Sequence, residues 1–151
     1  MKKLLVSACI LLFSFTANAA SPIDLSPYKG KVVYLDFWAS WCVPCRESFP
    51  WMNQLRRDFK TKDLAIIAVN VDKNPELVAQ FLKKYPASFK IMYDAKGEHA
   101  SYYKLQGMPS SFIFDREGKL VKSHKGFFTK NKQRYEQEIR EVVMRGAQNE
   151  K

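Results

Sequence analysis

Val32-Val33-Tyr34-Leu35-Asp36-Phe37-Trp38 runs through Ala39-Ser40 into Trp41-Cys42-Val43-Pro44-Cys45. The first seven residues are nearly continuously apolar, as a central strand covered on both faces requires. The last five carry two thiols separated by two residues. In a strand-to-helix turn this spacing puts both sulfurs within disulfide reach, with Cys42 in the first turn of the helix. Unpaired backbone amides and the positive end of the helix dipole stabilise a thiolate there. Cys42 is therefore read as the nucleophile of a redox site. Cys45, one turn further in and shielded, is read as the thiol that attacks the mixed disulfide formed by Cys42 and releases the reduced partner.

Upstream, Met1-Lys2-Lys3, an apolar run from Leu4 to Phe15 and Ala17-Asn18-Ala19 have the three-part layout of a secretory signal peptide cleaved after Ala19. The apolar run falls short of the roughly 20 residues that span a bilayer as a helix. A retained N-terminal membrane anchor is the alternative, and Val6-Ser7-Ala8-Cys9 as a lipoprotein processing box is a weaker one. Residues 20–151 then form one domain, large enough for one core but not for two. The leader removes two of the 25 basic residues, so 23 face 15 acidic ones in the mature chain. Export argues against nucleic acid as a partner, and the lysines are scattered rather than interleaved with aromatics on one face. A solvated basic surface is the reading, with attraction to an anionic membrane or an acidic partner as the alternative. Cys9 leaves with the leader. A staple between Cys42 and Cys45 would close so short a loop that it removes little chain entropy, so the pair is present for chemistry.

Downstream, Phe49, Met52, Leu55 and Phe59 recur at helical spacing to about Lys60, with Pro50 expected to kink the helix. Leu64 to Val71 reads as a second strand, Asn74 as the cap of a helix begun by Pro75, and Ser88 to Tyr93 as a third strand. Glu98 to Leu105 suggests a short helix. Ser111 to Asp115 and Lys119 to Lys125 alternate around Arg116-Glu117-Gly118 as an antiparallel hairpin. Thr129 to Met144 closes the chain as an amphipathic helix with Tyr135, Ile139, Val142 and Val143 inward. Ser21 to Lys29, with Pro22 and Pro27, reads as an extended entry without regular structure. This order indicates an α/β sandwich with a mixed sheet. Half of a zinc site is the competing reading of the thiols. It needs two more ligands, and His99 and His124 stand at no partner spacing, so both read as surface residues and no metal or cofactor is expected.

The string from Asp36 to Arg46, Pro50 five residues after the second cysteine, and Gly107-Met108-Pro109 together resemble the thioredoxin superfamily. Within it the chain is similar to the exported TlpA/ResA-like thiol-disulfide oxidoreductases, over roughly residues 24 to 145. The resemblance implies a thioredoxin fold, a mixed central sheet flanked by helices with a helix-strand insertion between the second strand and the cis-proline loop, for which Pro75 to Tyr93 has the length. It implies a cis peptide before Pro109, packed against the disulfide. Met108 would then pair its backbone with an extended client segment, flanking the sulfur together with Trp41. Asp36 stands where thioredoxins keep a buried acid beneath the cysteines. Desolvation would raise its pKa and suit it to accept the proton of Cys45. An acid turned to solvent at a strand edge is the alternative. The resemblance also places Ala68 where a lysine usually accompanies that acid, and Ser48 where many relatives carry glutamate. Glu47 is one position early, rotated about 100° on a helix and hence toward water.

Val43-Pro44 contains no histidine, one means by which strongly oxidising relatives stabilise the thiolate, so a reductase is expected. Its partners would be disulfide-containing proteins and, as the resemblance implies, a membrane thiol-disulfide electron donor. Cytochrome c maturation or disulfide repair in the periplasm is the setting, and size and the lack of heptads point to a monomer. The alternatives are a periplasmic oxidase or isomerase, and a binding or chaperone module with a structural disulfide. Peroxide reduction is a poorer match, because the residues before Cys42 offer no Pro-x-x-x-Thr-x-x-Cys arrangement. Phe127-Phe128 is read either as a border of the client groove or as the first core contact of the last helix.

Overall fold

A computed structural model describes residues 20–148. The expected signal peptide lies outside the described residues. The elements follow the order β1 (Val32–Trp38), α1 (Cys45–Asp58), β2 (Leu64–Asn70), α2 (Pro75–Lys84), β3 (Lys90–Tyr93), α3 (Glu98–Tyr102), β4 (Ser110–Phe114), β5 (Leu120–Lys125) and α4 (Lys132–Gln148). The strands form one five-stranded sheet in the order β3-β2-β1-β4-β5. β1 pairs in parallel with β2 and antiparallel with β4, so it is central and every one of its residues is buried. β2 and β3 are parallel, and β4 and β5 form the antiparallel hairpin. The α2–β3 pair is the expected helix-strand insertion, and its strand lies at the sheet edge.

The two-residue period of β1 divides the core. Val32, Tyr34 and Trp38 face a cluster that includes Cys42, Cys45, Phe49, Met52 and Leu55 from the turn and α1, Phe81 from α2, and Tyr135, Ile139 and Val142 from α4. Val33, Leu35 and Phe37 face the opposite layer, with Ile23 from the entry segment and Ala100 and Tyr103 around α3. Asp36 shares the parity of Tyr34 and Trp38 and so points into the layer that holds the cysteines. Aromatic packing is dense on that side: Trp38 meets Phe49 edge-on at 4.7 Å and lies 4.6 Å from Phe81.

Local chemistry explains where the elements differ from expectation. The entry segment is not wholly irregular, since Ser26–Tyr28 closes a single 3-10 turn around Pro27. β3 starts at Lys90 rather than Ser88, because the amide and hydroxyl of Ser88 both donate to Asn53 Oδ1, at 2.8 and 2.7 Å. α3 stops at Tyr102 because Lys104 turns to a positive φ of 51°. The last helix is preceded by a separate 3-10 turn at Thr129–Asn131. α1 runs through Pro50 from Cys45 to Asp58. Asn74 caps α2 as expected, its Oδ1 accepting the Glu76 amide at 2.9 Å. The hairpin turn is held by Asp115, whose carboxylate accepts the amides of Glu117 and Lys119, with Gly118 in the left-handed region. No helix among the described residues is long and apolar enough to cross a membrane.

Candidate active site

Cys42 and Cys45 form a disulfide, with Cα atoms 5.3 Å apart. It sits at the C-terminal end of β1, where the strand passes through the turn 39–44 into α1. α1 begins at Cys45, so Cys42 lies in the turn ahead of the helix rather than within its first turn, and Cys45 is the first helical residue rather than one a turn further in. The reason is local. The Cys42 amide donates to the Ala39 carbonyl at 3.1 Å, which commits it to the turn. Its sulfur nevertheless receives what a helix N-terminus offers, because the free Cys45 amide donates to Cys42 Sγ at 3.2 Å. Cys45 is fully buried, and Cys42 is 3% exposed. Beside them Trp41 and Val43 stand 64% and 63% exposed, an apolar rim on an otherwise buried sulfur pair.

The turn is anchored by a buried polar group that sequence reasoning missed. Asp72, just after β2, accepts the Ser40 amide at 2.7 Å through Oδ2 and the Ser40 hydroxyl at 2.8 Å through Oδ1. Asn70 holds it in turn, donating from Nδ2 to Asp72 Oδ2 at 2.7 Å and accepting the Asp72 amide at 3.0 Å. The parallel pairing of Trp38 with Asn70 brings these residues together. An acid two residues past an apolar strand is a signal only once that register is known. Ser48, buried within α1, donates its hydroxyl to the Cys45 carbonyl at 3.2 Å, and Glu47 is exposed, as its rotation on the helix required.

Asp36 is 1% exposed and its Oδ2 has no hydrogen-bond partner, which overturns the solvent-edge alternative. Burial holds its carboxyl well above the ordinary aspartate range. Its neighbour across β2 is Ala68, also fully buried, so the lysine position is occupied by a methyl group. Tyr34, two residues away on the same face, is likewise pushed well above the ordinary tyrosine range, first by burial and then by the charge of Asp36.

The Met108–Pro109 peptide is cis. Pro109 is buried, and Met108 is half-buried against the cluster containing both cysteines. Trp41, Met108 and Pro109 thus come to the same end of the sheet as the disulfide. A groove of about 360 Å³ continues from Ser40, Trp41 and Arg46 to Leu77 and Phe81 of the inserted helix. The two phenylalanines divide their expected roles: Phe127 is buried, 5.3 Å from the Trp51 ring, whereas Phe128 is exposed. The histidines depart from the surface reading. His99 Nδ1 lies 2.9 Å from the Ser21 carbonyl, and His124 bridges Ser111 and Glu138. Among the described residues no group of three or more His, Cys, Asp or Glu side chains is arranged to hold a metal.

A protein-family model described as Redoxin matches residues 10–139. The thiol-disulfide oxidoreductase ResA of Bacillus thuringiensis subsp. konkukian is 37% identical over 118 residues, 78% of this chain and 68% of that protein. Among solved structures, that of a candidate thiol:disulfide interchange protein DsbE from Chlorobium tepidum aligns with a TM-score of 0.76 at 46% identity, over 79% of this chain and 84% of that one. The exposed lipoprotein thioredoxin of Streptococcus pneumoniae strain TIGR4 aligns with a TM-score of 0.67 at 31% identity, over 78% and 90%.

Proposed function

This chain belongs to the Redoxin family and is a thiol-disulfide oxidoreductase of the ResA and DsbE type, and from that premise we propose that it is a periplasmic reductase of protein disulfides. The observation that carries the reading is the Cys42–Cys45 disulfide with an apolar rim above it and, on the same face of the sheet below it, a buried carboxyl whose affinity for a proton is raised.

In the reduced protein the Cys42 thiolate, stabilised by the Cys45 amide at the helix start, attacks one sulfur of a client disulfide. The client's other sulfur leaves as a thiolate and takes a proton from water. Cys45 then passes its proton to the Asp36 carboxylate and attacks Cys42, releasing the second client thiolate and closing the Cys42–Cys45 disulfide. Two electrons have moved to the client. A membrane thiol-disulfide donor restores the dithiol by the reverse sequence, in which Asp36 returns the proton to Cys45. Trp41 and Met108 form the client-facing surface, with the buried Pro109 holding the loop behind Met108, and backbone pairing with an extended segment gives affinity with little sequence selectivity. The cycle needs no cofactor and a single copy of the chain.

Export is supported by the leader-like residues 1–19 and by the similarity to an exposed lipoprotein. The direction of electron flow is supported by Val43-Pro44, which places no histidine between the cysteines. Clients in cytochrome c maturation or in repair of wrongly oxidised proteins fit this direction. The deciding measurement is the equilibrium reduction potential of the cysteine pair. A value below about −230 mV, toward the thioredoxin end, is expected, and one above about −180 mV would instead make the protein a disulfide donor or isomerase. Replacing Cys45 with alanine is expected to trap clients as mixed disulfides on Cys42, visible as thiol-sensitive adducts on non-reducing gels. A protein whose disulfide were merely structural would trap none.

A further inference from the structure

Asp36 has an alanine on one side and a polar chain on the other. Across the β1–β4 ladder it pairs with Ser111, and across the β4–β5 ladder Ser111 pairs with His124. Ala68, Asp36, Ser111 and His124 therefore form one row across four strands. Ser111 shares its parity with Ile113, which packs in the cysteine layer, and the His124 ring lies 4.8 Å from Tyr135 of α4 in that same layer. His124 Nδ1 is 3.4 Å from Ser111 Oγ, and its Nε2 is 2.6 Å from Glu138 Oε2. The carboxylate fixes Nε2 as a protonated nitrogen.

We propose that His124, held by Glu138 and linked through Ser111, is a positioning residue that provides Asp36 with the cationic neighbour missing at Ala68. This rests on the reading of Asp36 as the proton acceptor for Cys45. As an imidazolium, His124 donates from Nδ1 to Ser111 Oγ, which leaves the serine hydroxyl hydrogen free to point inward. As a neutral ring it takes that hydrogen instead. The serine thus turns with the charge state of the histidine. A hydrogen bond from Ser111 opposes the upward push on the Tyr34 hydroxyl, which lies on the same face of β1 as Asp36.

The surrounding charges are few. Glu138 and Tyr135 face His124 from α4, with Arg134 stacked on Tyr135. On β5 itself Lys122 pairs with Glu138 at 3.5 Å. Lys104 and Lys125 line the shallow cavity beside His124, Lys125 donating to Gln106. Tyr34 is the titratable group next to Asp36 on its own strand. Strands are spaced about 4.8 Å apart, so two steps separate His124 from Asp36 by about 10 Å. At an effective dielectric of about 20, a unit charge at that distance moves a carboxyl titration by about one pH unit. Glu138, behind the ring, offsets part of this and leaves about half a unit.

The test is the reaction of the reduced, purified protein with Ellman's reagent. Cys42 releases the first thionitrobenzoate, and attack by Cys45 on the mixed disulfide releases the second, whose rate is followed from pH 4 to 9. In His124→Gln the inflection of the second step is expected about half a pH unit higher. In His124→Lys, which keeps a cation, it is expected at or below the parent value. In the Asp36→Asn background, adding His124→Gln is expected to change nothing further. No movement in His124→Gln, or equal movement in both backgrounds, would overturn the proposal. If His124→Gln does not fold, a rise of the inflection in His124→Lys would overturn it as well. Should Asp36→Asn itself leave the parent profile unaltered, the role of Asp36 falls and this proposal with it. A profile altered by Asp36→Asn and untouched by His124→Gln removes the proposal alone.

Discussion

Asp36 keeps its proton at pH values where an ordinary aspartate, with a pKa near 3.9, has lost it. Its folded-state value is raised, so between the ordinary value and the raised one the folded protein binds more protons than the unfolded chain. Stability therefore falls as pH rises through that window and is fully retained only below it. Asp36→Asn removes the ionisable group while keeping the side-chain shape, and is expected to stabilise the protein at pH 7 because an amide carries no cost of ionising in the buried site. Denaturant titrations of the two proteins should converge below pH 4. The same substitution is expected to slow the Cys45 step by about 10²-fold, because general-base transfer is lost. A gain in stability together with a loss of rate is the signature of a group kept for chemistry. Asp36 was recognisable through the family resemblance, from its place before Phe37-Trp38. The partnerless Oδ2 and the row through Ser111 to His124 were not, because side-chain neighbours across a sheet depend on register, which adjacent letters do not carry.

The turn between β1 and α1 derives its shape from the end of β2. Asp72 accepts two hydrogen bonds from Ser40, and bonds to a charged acceptor contribute about 1.5–3 kcal/mol each at most. Asp72→Ala is expected to lower stability by about 2–3 kcal/mol and to slow the reaction of Cys42 by loosening the turn, measured by thermal melts and by alkylation rates of the reduced protein. A variant that lost stability but alkylated at the parent rate would show that the clamp serves the fold alone. Helical and strand patterns were legible wherever apolar periodicity was long, as in α1, α2 and α4. They failed at ends, where single contacts decide: Ser88 is captured by Asn53, and Lys104 takes a left-handed turn after α3. The start of α1 at Cys45 belongs with these, since the Ala39 carbonyl competes for the Cys42 amide.

As a whole the molecule is one mixed sheet with its redox pair at the end of the central strand, between a basic exterior and an apolar rim. If the leader is removed as proposed, mass spectrometry of the protein recovered from the periplasm should give a chain beginning at Ala20, and a mass including residues 1–19 in the membrane fraction would mark a retained anchor. The order of strands and helices and the cysteine pair follow from local patterning, because hydrophobic period, turn chemistry and the Cys-x-x-Cys spacing act over a few residues, whereas the cis-proline position and the buried acid came from the resemblance those motifs carry. Tertiary structure alone decided that Asp72 grips Ser40, that Phe127 turns in while Phe128 turns out, and that Ala68, Asp36, Ser111 and His124 stand in line. The row spans 88 positions of the chain, from Asp36 to His124, and strand register determines which side chains meet along it.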